Sequence, residues 1–68
     1  MTTFKEGDIV VVWSKSVCNS VKQYPAYGFV WEIVEEDHWV IVEFFVENNT
    51  GTNRFINIHS DEIYKVEP

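Results

Sequence analysis

The sequence predicts an all-β domain, a small five-stranded barrel with one short helical turn before the last strand. Three observations carry that expectation. β-Branched and aromatic runs recur along the chain with turn residues between them. No stretch shows the 3.6-residue apolar period of an amphipathic helix of useful length. And 68 residues are enough for only one core.

Taken in order, Gly7-Asp8 is a turn signal, and Ile9-Val10-Val11-Val12-Trp13 follows as the first strand. Ser14 to Tyr27 is polar, punctuated by Asn, Ser and Pro, and without a clean period, so it reads as a long loop. A loop of that length in so small a domain is often functional. Gly28 ends it, and Phe29 to Val34 is the second strand. Glu35-Glu36-Asp37 makes a hairpin turn into a third strand from His38 to Val46. The polar stretch from Glu47 to Asn53 is a second turn region, and Arg54 to Ile58 is the fourth strand. His59 to Glu62 reads as a single helical turn with Ser60 as its cap. Ile63 to Val66 closes the domain as a short fifth strand.

Domains of this size bury only about 60% of the unfolded chain's surface, so disulfides, a metal or a partner usually help. The single cysteine, Cys18, cannot pair within the chain. Cys18, His38 and His59 are far apart and lack the spacing of zinc ligands. The expectation is therefore no metal and no cofactor, and stability from packing or from a partner. Aromatic residues, 16% of the chain, suit both uses.

A formal net charge of −6 argues against direct binding to a phosphate backbone, and the five basic residues are scattered. The N-terminus, MTTFKEGD, lacks the basic and apolar regions of a signal peptide. The apolar runs are too short to span a bilayer. A cytoplasmic location is expected, with membrane association only through a partner complex.

Gly-Asp-Ile-Val-Val-Val near the start, Gly28-Phe29-Val30 opening the second strand, Val-Ile-Val-Glu-Phe in the third, and Phe-Ile-Asn-Ile-His-Ser-Asp-Glu-Ile-Tyr-Lys-Val-Glu at the end form a pattern. It resembles an SH3-like barrel, most of all the small barrels of photosystem I subunit IV and more distantly KOW and Tudor modules. The resemblance covers nearly the whole chain. It implies a five-stranded barrel and a non-enzymatic accessory role.

The barrel pattern assigns faces. Val10, Val12, Val30, Ile33, Val40, Val42, Phe44, Phe55, Ile58, Ile63 and Val66 are expected inside, with a bulge absorbing the odd spacing from Val30 to Ile33. The other parity, Ile9, Val11, Trp13, Phe29, Trp31, Trp39, Ile41 and Phe45, then points outward. The second and third strands lie side by side in such barrels, which makes Trp31, Trp39 and Ile41 expected neighbours. Two readings of this apolar exterior stay open. The loop from Ser14 to Tyr27 folds over it, or a partner does, either another protein or a second copy in a homodimer.

No catalytic constellation emerges. Glu35, Glu36 and Asp37 splay on a tight turn and serve solubility. His38 and His59 have neither a nucleophile nor an orienting carboxylate adjacent in sequence. Cys18 fits a half-buried, inert thiol better than a reactive one. What remains is aromatic. Trp13, Tyr24, Tyr27, Phe29 and Trp31 lie on or beside the long loop, where Tudor-like barrels cage methylated lysine or arginine and SH3 domains hold Pro-rich ligands. With Trp39, Ile41 and Phe45 they make up the candidate partner-binding set. Three roles follow: a protein-binding accessory module, an acidic inhibitor or nucleic-acid mimic (such as some viral proteins) that occupies a basic surface, or a reader of cationic or Pro-rich peptides.

Overall fold

β-Branched and aromatic runs do become the strands. In the computed structural model, which describes residues 4–35, 38–46 and 54–66, these are β1 (Ile9–Val12), β2 (Ala26–Glu35), β3 (Trp39–Phe44), β4 (Phe55–His59) and β5 (Ile63–Lys65). All pairings are antiparallel, and the strand order is β4-β3-β2-β1-β5. A 3₁₀ turn, Ser60–Glu62, links β4 to β5. No ladder among the described residues joins β4 to β5, so these two strands are the edges of the sheet.

Gly7 shapes the entry to β1. Its φ of +95° is costly for any residue with a Cβ. In that conformation its N–H reaches Val30 O at 2.8 Å, while Asp8 O accepts from Val30 N at 2.9 Å. The Asp8 carboxylate in turn accepts from Lys5 N at 2.9 Å.

The expected long loop is a correction. Lys15–Val21 forms a seven-residue helix, α1, and β2 begins at Ala26 instead of Phe29. Ser, Asn, Val and Cys are weak helix formers, so local preference does not make this helix. Tertiary burial does: Cys18 and Val21 insert into the core and Val17 packs against it. The Cys18 thiol is buried and donates to Val12 O at 3.4 Å, which removes it from reactive chemistry. Lys22 closes α1 in the left-handed region, its N–H donated to Cys18 O. The chain then passes the cis Tyr24–Pro25 peptide into β2.

The core holds Val10, Val12, Val30, Val40, Val42, Phe44, Ile58 and Ile63, as their parity requires, together with Phe4, Cys18, Val21 and Ala26. Ile33 packs against it half-buried. β2 carries two register shifts against β3, between Val30 and Glu32 and between Ile33 and Glu35. Each places an extra residue on the outer side, so Trp31 and Glu32 are both exposed, as are Val34 and Glu35. That is how Val30 and Ile33, three apart, both face inward.

Three face assignments change. Phe55 was expected inside and is 41% exposed. It pairs with Glu43, while Ile56 and Ile58 oppose Val42 and Val40; a strand cannot turn both 55 and 58 to one side. Val66, also expected inside, lies beyond β5 and is exposed. Val11, expected outside, is only 9% exposed. Its cross-strand neighbours are Tyr27 and Tyr64, and pairs in register share a face, so two large rings flank it.

Gly28 has no room for a side chain. A Cβ there would sit 2.5 Å from Glu43 O and 2.9 Å from both Phe44 Cα and Val42 Cγ1. The missing side chain lets β2 press against β3 where Phe44 enters the core. Of the expected turns, the first is closed by His38 N donating to Glu35 O at 2.9 Å; Glu36 and Asp37, and the second turn region from Glu47 to Asn53, lie outside the described residues.

Candidate functional site

The outer face of the sheet is aromatic because β2 alternates large rings on that side. Phe29 stacks on Phe45, with centroids 5.9 Å apart and planes at 26°. Phe29 also meets Trp31 edge-on at 6.3 Å. Trp31 continues to Phe55 at 5.4 Å and 78°. The four rings form one ladder, Phe45–Phe29–Trp31–Phe55, that crosses from the end of β3 over β2 to β4. Offset and edge-on contacts of this kind add about 0.5–1.5 kcal/mol per pair beyond area burial. Phe45, Trp31 and Phe55 nevertheless remain exposed, and only Phe29 is half-buried.

Charge on the ladder is internally balanced. Glu43 lies in register between Phe29 and Phe55. Its carboxylate pairs with Arg54 at 3.7 Å, and the Arg54 guanidinium lies 5.9 Å from the Phe55 centroid. Glu32, exposed beside Trp31 in the bulge, adds a negative charge at the rim.

Two smaller clusters flank the ladder. Trp13 meets Tyr24 edge-on at 5.9 Å beside α1. Gln23 Nε2 donates to Phe45 O at 3.2 Å, which ties the α1–β2 connection to the end of the ladder. At the far end of β3, Trp39 meets His59 edge-on at 5.1 Å, and His59 meets His38 at 6.1 Å. His59 Nδ1 accepts from Asp61 N at 3.1 Å, which makes His59, not Ser60, the cap of the 3₁₀ turn. His38 Nδ1 lies 3.7 Å from Glu35.

The candidate residues thus divide. Phe29, Trp31 and Phe45 belong to the ladder, Trp13 and Tyr24 form a separate pair, and Trp39 sits in the histidine cluster. Trp31 and Trp39 are not brought together as expected: Trp31 turns toward Phe55 and Trp39 toward His59. Tyr27 is exposed on β2, next to Val11 in register, and Ile41 is half-buried opposite Asn57. The ladder member absent from the sequence-based set is Phe55, and period-two alternation with Ile56 and Ile58 was the signal that marks it as outward. The reading in which the Ser14–Tyr27 segment covers the exterior fails for the tryptophans, since Trp13, Trp31 and Trp39 are all exposed. α1 sends its apolar side into the core instead.

Among the described residues, no group of three or more His, Cys, Asp or Glu side chains is arranged to hold a metal ion. No helix of the described residues is long and apolar enough to cross a membrane. No protein-family model, no curated protein and no solved structure matches the chain.

Proposed function

We propose that this chain is a non-enzymatic protein-binding module of the SH3-like barrel type, docking on a larger protein through its outer aromatic face. The single observation that supports the reading is the ladder itself. Four contiguous rings lie on the outer face, three of them exposed and Phe29 half-buried, while the core is filled by other residues, among them Phe4 and Phe44. Exposed aromatic surface of this continuity marks interaction sites, and tryptophan is enriched among the residues that carry binding energy. The Glu43–Arg54 ion pair on the ladder neutralises itself, which leaves an apolar centre with an acidic rim.

The test is affinity capture from the native host with the wild-type chain, Trp31→Ala and Trp13→Ala side by side. A specific partner should be retained by wild type and by Trp13→Ala and lost by Trp31→Ala, with little dependence on salt. A partner held equally by Trp31→Ala removes the ladder as the docking surface. Binding that collapses as salt is raised favours the acidic-mimic role instead.

A further inference from the structure

We propose that β4 is a pairing edge for a second copy of this chain, with two β4 strands aligned antiparallel about Asn57 to extend the sheet. The hydrogen-bond parity of β4 sets up the argument. Phe44 N donates to Arg54 O at 2.8 Å and Ser60 N to His38 O at 2.7 Å. Between these pairs the register runs Val42 to Ile56 and Val40 to Ile58. In an antiparallel ladder bonded pairs recur every second residue, so Ile56 and Ile58 spend their main-chain groups on β3. The N–H and C=O of Asn57 and the N–H of His59 therefore aim at the open side of β4, where no described strand lies, while the His59 C=O belongs to the 3₁₀ turn that it caps.

The two edges of the sheet are not alike. β5 is three residues long and contains Lys65, tied to Asp8 at 3.4 Å. Shortness and a lysine are the usual guards of a sheet edge. β4 is five residues, Phe-Ile-Asn-Ile-His. It has no Asp, Glu, Lys or Arg, no Pro or Gly, and no bulge in its register with β3. An edge of that kind is a template for another strand.

The strand it fits best is its own copy. With Asn57 on the twofold axis, its main chain exchanges both N–H···O bonds with the second copy's Asn57. The two amide side chains, each donor and acceptor, meet on the outer face. On that same face Phe55 comes opposite the second copy's His59, which already carries Trp39 edge-on against it. The row Trp31–Phe55 of one copy thereby continues into the His59–Trp39 row of the other. On the inner face Ile56 comes opposite Ile58. Two chains of net charge −6 repel, and β4 is where they can meet without opposing formal charges. The dimer should therefore strengthen as salt screens the remainder.

Sedimentation of the full chain over a concentration series, with hydrogen exchange at the Asn57 amide, tests this. Wild type should shift from monomer to dimer mass with concentration, more readily at high salt, and the Asn57 amide should gain protection in step. Asn57→Lys should stay monomeric with an unchanged fold by circular dichroism. Asn57→Pro, which removes an N–H that β3 does not use, should do the same; if it unfolds, the lysine variant alone decides. A wild type that remains monomeric throughout overturns the proposal. So does a dimer that Asn57→Lys leaves intact, or one in which the Asn57 amide still exchanges freely. A monomer that pairs through β4 only with a foreign strand overturns the assignment of the partner.

Discussion

Trp31 meets Phe55 edge-on, centroids 5.4 Å apart, although the strands that carry them are separated by β3. The bulge at Trp31-Glu32 makes this reach available. It sends two consecutive side chains to the outer face and leans the indole across β3 toward β4.

Removing that indole should separate stability from binding. Trp31 is 51% exposed, so Trp31→Ala forfeits mainly two edge contacts, about 0.5–1.5 kcal/mol each. Urea unfolding should show a shift of that order with an unchanged slope. Partner affinity, if Trp31 is the central anchor, should fall by about 2 kcal/mol or more, roughly thirtyfold.

Gly28→Ala should be among the most damaging single changes. Its Cβ would press on the main chain of Glu43 and Phe44, which cannot move without opening the β2–β3 ladder. We expect a loss of at least about 2 kcal/mol, at the high end for overpacking. A urea midpoint within error of wild type would contradict this account of the close approach.

Val21 anchors α1. It is 2% exposed in the core cluster, so Val21→Ala removes buried methyl groups at about 0.8 kcal/mol each and leaves a cavity, for a total of about 1–3 kcal/mol. Amides of α1 should then exchange faster than those of β2 and β3. Uniform acceleration across the sheet would mean that α1 and the sheet unfold as one unit.

His59→Ala should cost about 0.5–1.5 kcal/mol by orphaning Asp61 N. His59→Asn, whose side-chain oxygen can take the same bond, should recover most of it. Equal losses in the two variants would shift the role of His59 from the cap to its contact with Trp39.

The Glu43–Arg54 pair is partly exposed, and such pairs contribute about 0.2–1 kcal/mol. A double-mutant cycle with Glu43→Gln and Arg54→Ala should return a coupling in that range, and it should shrink in high salt.

The strands and the inward set Val10, Val12, Val30, Val40, Val42, Phe44, Ile58 and Ile63 could be read from the sequence, because β-branched runs and period-two burial are local properties. The outward turn of Phe29, Trp31 and Phe45 followed from the same parity. Helix α1 could not be read, since Ser, Asn and Cys give no helical signal until Cys18 and Val21 find a core to enter. Nor could the linking of Trp31 to Phe55 instead of Trp39, the burial of Val11 between Tyr27 and Tyr64, or the contrast between the edges β4 and β5. Each depends on bulge position and strand order, which are fixed by how distant segments pair, and no residue's own preference encodes that.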